Sequence, residues 1–145
     1  MRKLWLLLCL TFIMPALADQ PTGRVVVEFP EPAHRHLREA MVRYLAGVHE
    51  VVAHMASGEY EAAAEAAENR VGRGAMGRHG TGMGPGRFMP AEMRSLAHGM
   101  HAAGSELAEA IRGGDGREMT VALERVLSNC TACHSSYTAK VIEEN

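Results

Sequence analysis

Three residues near the end of the printed chain have side chains that could do chemistry at a fixed spacing. Cys130, Cys133 and His134 form the sequence Cys-x-x-Cys-His. On a helical turn, residues three and four apart lie on one face, so both thiols can add to the two vinyl groups at one edge of a porphyrin. The imidazole of His134 can then reach the iron as its proximal ligand. The motif predicts one covalently attached haem c.

Three other interpretations of the cysteine pair agree less well with the sequence. A redox pair of the thioredoxin type requires a helix N-terminus in an α/β context, and no predicted strands of that kind precede it. A zinc site requires a fourth ligand close by. A disulfide across two intervening residues is strained and uncommon.

The position of the motif indicates where the rest of the site must come from. Only eleven residues follow His134, so helices upstream must build the opposite wall. Met41 lies on the predicted apolar face of the first helix, and its thioether is a candidate iron ligand, although a core methionine has the same pattern. Arg38 either binds a haem propionate, shields the distal pocket or is a solvated helix residue. Tyr137 is expected to pack on the haem edge.

Among the remaining histidines, only His101 falls near an apolar helix face, which makes it a weaker candidate for a ligand or pocket residue. A second possible metal site is the segment rich in methionine and glycine. Thioether and imidazole groups suit Cu(I), but an ordinary loop has the same composition. The candidate copper ligands are Met76, His79, Met83 and Met89.

The composition limits the classes of protein to which the chain can belong. It has 145 residues, with 15 Lys and Arg against 17 Asp and Glu, and only 5% aromatic residues. This balance predicts no nucleic-acid-binding face.

Residues 1–18 have the features of a secretory signal peptide: Arg2 and Lys3, a short apolar run, and Ala-Leu-Ala at the cleavage site. We expect cleavage after Ala18, a periplasmic domain of residues 19–145, and no membrane attachment after cleavage.

Apolar residues spaced three and four apart predict helices, and glycine and proline mark their ends. The sequence predicts an all-α antiparallel four-helix bundle, with a long loop rich in glycine and methionine between helices B and C. A short extended tail at 19–31 should pack on the surface or pair weakly. The predicted elements are helix A from near Pro32 to Ser57-Gly58, helix B over 59–71, the loop over 72–90, helix C from Pro90-Ala91 to Gly113-Gly114, and helix D over 116–142 with Asp115 as its cap.

The sequence resembles the cytochrome c-prime family, the class II c-type cytochromes, over residues 33–140. The resemblance implies a periplasmic haem protein, in several members a dimer through helices A and B. Some members have an open iron that takes nitric oxide or carbon monoxide, and others a methionine ligand. The similarity rests on the Cys-Thr-Ala-Cys-His-Ser-Ser-Tyr stretch ending at Tyr137, on four helical segments in order, and on Arg38, Met41, Met89-Pro90 and Leu96 to His101.

Two features depart from the family pattern, which often has a basic residue directly after the tyrosine. Here Thr138 stands at that position and Lys140 follows later, and the loop between helices B and C is unusually rich in glycine and methionine. Counting back from Gly58, the distal position of the family falls equally well on Val42, an aliphatic residue that would leave the iron open.

We therefore expect a monohaem c-type cytochrome that transfers one electron at a time to and from redox partner proteins. No nucleophile–base pair or carboxylate dyad stands out, so no enzymatic turnover is predicted. The alternative is a gas-binding haem protein with a five-coordinate iron. Met41 at the iron favours electron transfer, and Val42 favours gas binding.

Overall fold

The computed structural model describes residues 23–76 and 84–142 of the chain. The predicted signal peptide, with its cleavage site after Ala18, lies outside the described residues. So do His79 and Met83 of the candidate copper segment.

Within these two ranges the structure is mostly helical, with four α-helices and one two-stranded sheet. The predicted helical character is confirmed, and a short two-stranded sheet accompanies the four helices. The elements are β1 Val25–Phe29, α1 Glu31–Ala56, α2 Tyr60–Ala66, a π-helical segment Ala67–Val71, 3-10 helices at Arg73–Ala75 and Pro85–Phe88, α3 Ala91–Gly113, α4 Gly116–Ser136 and β2 Tyr137–Val141.

The helix ends follow the residues that the sequence marks. Gly58 after α1 and Gly114 after α3 have φ angles of 74° and 79°, the left-handed conformation that glycine adopts without a Cβ penalty. Asp115 caps α4, because its carboxylate accepts hydrogen bonds from the backbone N–H groups of Arg117 and Glu118. These predicted boundaries are confirmed.

The predicted end of the last helix was wrong. α4 ends at Ser136 rather than continuing to 142, and β2 pairs in parallel with β1 in the register Val25↔Tyr137 to Phe29↔Val141. β-branched and aromatic residues in both segments favour extended backbone, and the ladder satisfies their backbone polar groups.

The N-terminal strand is part of the core and not a surface tail. Phe29 is completely buried and Val27 nearly so, in a small cluster with Leu37 of α1 and Met93 of α3. The strand therefore fixes the start of α1 against the start of α3, close to the end of α4.

The larger core lies among the four helices. Its largest fully buried side chains come from α1, the π-helical segment, α3 and α4, namely Val51, Val71, Leu107, Ile111 and Val126. In the part of the chain that the structure describes, no helix is both long enough and apolar enough to cross a membrane.

The π-helical segment approaches α3 very closely at Gly104. A Cβ atom built on Gly104 would lie 2.7 Å from the backbone nitrogen of Gly72 and 2.8 Å from the carbonyl carbon of Val71. Both neighbours are backbone atoms, so they cannot move aside as a flexible side chain would. The absence of a side chain at Gly104 thus sets the distance between α3 and the segment that follows α2.

We expect Gly104→Ala to lower the free energy of unfolding by about 1–3 kcal/mol, because the added methyl group overpacks this contact. Gly113→Ala is the matched control. It lies on the same helix with nothing within 4 Å of its added Cβ, and should be neutral or stabilising by up to about 1 kcal/mol. Urea denaturation of both variants measures the difference. Equal stability of the two would contradict the close approach.

Candidate cofactor site

A cavity of about 730 Å³ lies between α1 and α4. α4 packs along α3, while α1 packs on α2 and on the π-helical segment. Among the described elements, α1 and α4 have no comparable contact with each other. Residues of α3 and β2, together with Arg24 just before β1, close the cavity at its sides.

All six residues that the sequence predicts for the site line this one cavity. The cysteines and the histidine of the motif occupy the last turns of α4, and the arginine and methionine face them from α1. The tyrosine begins β2. These residues are Cys130, Cys133, His134, Met41, Arg38 and Tyr137. Tyr137 was expected one helical turn beyond His134, and it reaches the cavity from the strand instead.

Several apolar side chains on the cavity wall are exposed. The exposed fractions are 69% for Val42, 73% for Leu45, 45% for Leu127 and 36% for Met41. Met41 belongs to the apolar face that the sequence predicts for the first helix, and Leu45 and Leu127 are apolar residues of α1 and α4. They are exposed because α1 and α4 are held apart here. A concentration of exposed apolar surface in a concavity is typical of a binding site for an apolar group.

The two thiols of the motif are free and half-buried. Burial raises the pKa of Cys130, and burial together with the neighbouring Cys130 raises the pKa of Cys133. Both are therefore held as thiols at a pH where unfolded cysteines begin to ionise.

Arg24 is a residue of the site that the sequence analysis missed. It precedes β1, lines the cavity, and donates a hydrogen bond of 3.4 Å to the backbone carbonyl of His134. The segment was predicted to be a tail, so nothing connected it with the motif. With Arg38, it gives the cavity two guanidinium groups, which are well suited to binding carboxylates.

His101 and Tyr44 form a polar contact in the same cavity wall. His101 has an exposed fraction of only 6%, and its Nε2 atom lies 3.4 Å from the hydroxyl of Tyr44. The sequence places His101 near an apolar helix face, and the structure has it lining this cavity. The sequence does not indicate that the two residues meet.

The residues present fit a haem group in size, surface and donor chemistry. The cavity volume lies in the range of about 300–1,000 Å³ for small-molecule and cofactor sites. Its walls are largely apolar, as a porphyrin face requires, and two thiols and an imidazole are grouped on the α4 side. Arg24 and Arg38 match the two carboxylates that a haem carries.

The candidate copper residues are only partly described. Met76 is 43% exposed and lies outside the cavity lining, while Met89 lines the cavity and packs on the smaller core cluster. Over residues 23–76 and 84–142, no three His, Cys, Asp or Glu side chains form a group that could hold a metal ion.

Comparison with known protein families, with curated proteins and with solved structures finds no significant match to this chain.

The raised pKa values of the cysteines predict slow alkylation of the haem-free folded protein. At pH 8 iodoacetamide should modify Cys130 and Cys133 more slowly in the folded chain than in urea, because the thiolate is the nucleophile and its fraction is lower. As the pH rises toward the raised pKa values, the thiolate fractions converge and the difference should narrow. Mass spectrometry follows the reaction. Equal rates in the two states at pH 8 would argue against burial of the thiols.

Proposed function

We propose that this protein is a periplasmic monohaem c-type cytochrome that transfers single electrons between redox partner proteins. The observation that carries the proposal is the cavity between α1 and α4, because it brings the Cys-x-x-Cys-His residues of α4 opposite Met41 of α1. The family resemblance and the signal-like N-terminus support the periplasmic location. Bound haem c would supply the one-electron couple of its iron.

The cysteines are proposed to attach the haem covalently. Each thiol would add across one vinyl group, with its sulfur bonding to one carbon and its proton passing to the other. Cys130 and Cys133 are one helical turn apart on α4 and both line the cavity, which supports their reaction with two substituents at one edge of the ring. The two thioether bonds would prevent loss of the cofactor.

His134 is proposed as the proximal iron ligand and Met41 as the ligand on the other face. His134 follows Cys133 directly at the end of α4, and Met41 belongs to the facing wall. With both residues bound, the iron would change its coordination little on reduction, which would favour rapid electron exchange. The protein's part is to fix these ligands and exclude water from the ring.

Arg24 and Arg38 are proposed to bind the haem propionates. Both guanidinium groups belong to the cavity lining, from the residue before β1 and from α1 respectively, and Arg24 already donates a hydrogen bond to the carbonyl of His134 at the end of α4. Charge-assisted hydrogen bonds from arginine to carboxylates are among the stronger polar contacts in proteins. They would orient the ring about the thioether bonds.

We also propose that the four helices form the antiparallel bundle of the resembling family, with residues 72–90 as its long connection. The short turn at Gly114-Asp115 between α3 and α4, which pack closely, supports this arrangement. A dimer through α1 and α2 stays a prediction from the same resemblance.

A gas-binding function is the second candidate. Val42 lines the same cavity as Met41 and is the alternative distal residue. With Val42 at the iron, the sixth position would stay open to carbon monoxide or nitric oxide, and the protein would bind gas instead of carrying electrons.

Removing one motif cysteine should halve the number of thioether bonds. We expect Cys130→Ala and Cys133→Ala each to leave haem attached through a single bond and to lower the yield of haem-loaded protein. The double variant should release all haem on acid-acetone extraction. Ser135→Ala, an exposed neighbour in the same helix, is the control and should keep the wild-type pattern. Pyridine haemochrome spectra of the denatured proteins provide the readout, and a spectrum of the non-covalent type in wild type would refute covalent attachment.

Met41→Ala distinguishes the two candidate functions. If Met41 binds iron, the oxidised wild type has a weak band at the red end of the visible spectrum, and it reacts slowly or not at all with carbon monoxide when reduced. The variant should lose that band, show a lower reduction potential and bind carbon monoxide readily. Met76→Ala, an exposed methionine outside the cavity, should change none of these properties.

The opposite result would favour gas binding. A wild-type protein that is already high-spin and takes up carbon monoxide at once has no methionine ligand. In that case Val42→Ala should alter the rate of carbon monoxide binding, and Met41→Ala should leave the absorption spectrum unchanged.

A further inference from the structure

The charged side chains are distributed unevenly over the part of the chain that the structure describes. We define the cavity half as residues 23–48, 84–101 and 127–142, which include the whole cavity lining, and the distal half as residues 49–76 and 102–126. The pairing of β1 with β2 and the small core cluster around Phe29 hold the three ranges of the cavity half together. The distal half contains most of the larger core.

Cationic side chains are in excess in the cavity half. It has seven Arg or Lys residues against four Glu, whereas the distal half has five Arg against ten Asp or Glu. The formal charges of the two halves are therefore +3 and −5. This separation gives the molecule an electric dipole with its positive end at the cavity. The cations of the cavity half are Arg24, Arg35, Arg38, Arg43, Arg87, Arg94 and Lys140.

Bound haem would weaken the positive end without cancelling it. If Arg24 and Arg38 bind the two propionates, five cationic side chains remain in the cavity half against four carboxylates. In the described chain no carboxylate belongs to the cavity lining. The negative charges of this half therefore lie outside the lining, and the cations dominate the potential at the cavity.

Two of the remaining cations lie beside the cavity and form no ion pair within the described ranges. Arg87 is exposed, and its guanidinium carbon lies 4.7 Å from the centre of the Phe88 ring. Arg94 is also exposed, follows Met93 of the cavity lining, and donates a hydrogen bond to the backbone carbonyl of Met89, which lines the cavity too. Since no carboxylate neutralises them, both charges act on the solvent at the cavity.

The opening of the cavity is apolar between these charges. Val42 and Leu45 of α1 are 69% and 73% exposed, and Leu127 of α4 is 45% exposed. Apolar contact surrounded by charged groups is typical of interfaces between proteins, where the charges orient the partners and speed their encounter. A partner seated on this opening would also lie close to a haem held in the cavity.

We propose that the cavity opening is the surface through which this protein exchanges electrons, and that its redox partner is a protein with an acidic surface around its own redox centre. Such a surface attracts the positive end of the dipole and repels the distal half. The encounter therefore turns the haem toward the partner. This inference rests on the proposed function.

The charge pattern suits a protein surface better than an anionic membrane. Lipid-binding segments have clusters of about four to eight Lys or Arg, whereas Arg35 and Arg43 of α1 each pair with a glutamate one turn away, Glu31 and Glu39. We expect the haem-loaded protein to stay in the supernatant when vesicles of phosphatidylcholine and phosphatidylserine are sedimented at physiological ionic strength. Sedimentation with the vesicles would overturn the choice of a protein partner.

Gold electrodes coated with charged monolayers test the orientation. A carboxylate-terminated monolayer stands in for the acidic partner, and an ammonium-terminated monolayer for a basic one. We expect the haem-loaded protein to exchange electrons rapidly on the carboxylate monolayer, because the cavity faces the electrode. On the ammonium monolayer the distal half binds, and exchange should be much slower. Cyclic voltammetry at low ionic strength measures both rates, and equal rates, or faster exchange on ammonium, would overturn the proposal.

Pairs of substitutions with the same change in net charge locate the cations responsible. Arg87→Gln with Arg94→Gln should slow exchange on the carboxylate monolayer by about threefold to tenfold, because two charges beside the cavity are lost. Arg117→Gln with Arg125→Gln removes two exposed charges of the distal half and should not slow it.

Two controls separate charge from structure. Arg87→Lys with Arg94→Lys keeps both charges and should keep the wild-type rate. In about 1 M salt, where screening acts within a few ångströms, the two glutamine pairs should exchange electrons at the same rate. Equal slowing by both glutamine pairs at low salt, or slowing by the lysine pair, would argue against a docking role for these charges.

The outcomes separate this inference from the proposed function. A haem-loaded protein that responds equally on both monolayers overturns the docking surface and leaves the cytochrome proposal intact. A protein that is exported without haem and gives no response on either monolayer overturns both.

Discussion

The separation of α1 from α4 is the constraint on which the site depends. Two helices with apolar stripes ordinarily bury them against each other, because burial of apolar surface is the main favourable term in folding. Here α4 packs on α3, and α1 packs on α2 and the π-helical segment. The apolar side chains of Val42, Leu45 and Leu127 are left facing a cavity instead of a neighbouring helix.

Close contacts of α1 and α3 with the π-helical segment and Gly72 hold this arrangement. Gly104 of α3 has no side chain, which leaves room for the backbone at Gly72. A Cβ atom built on Gly47 of α1 would lie 2.6 Å from the Cβ atom of Arg70. The π-helical segment is thereby wedged between α1 and α3. At the far end, β1 and β2 join the start of α1 to the end of α4. The cavity thus has a rigid frame, as a site that orients a cofactor requires.

The sequence predicts those parts of the molecule that local chemistry decides. The helix ends at Gly58 and Gly114 and the cap at Asp115 follow from backbone preferences of single residues, and the structure confirms them. Five of the six predicted site residues lie on α1 and α4, where a helical period of 3.6 puts each set on one face of its helix. Tyr137 reaches the same cavity from β2, which the helical period does not predict. What they bind stays a proposal.

The features that the sequence does not predict depend on contacts between distant segments. β1 and β2 are short and lie at opposite ends of the described chain, so nothing local indicates that Val25 pairs with Tyr137. The same holds for Arg24 reaching the end of α4, and for Tyr44 meeting His101. The π-helical segment after α2 is likewise not indicated locally, because the alanine-rich sequence of α2 before it favours a regular α-helix.

The intact mass of the denatured protein, after export from cells that have a haem-ligation system, decides whether haem c is attached covalently. We expect a single species with the mass of residues 19–145 plus one haem, with no thiol left to alkylate. A species with the mass of the polypeptide alone, in which Cys130 and Cys133 both react with iodoacetamide, would contradict it.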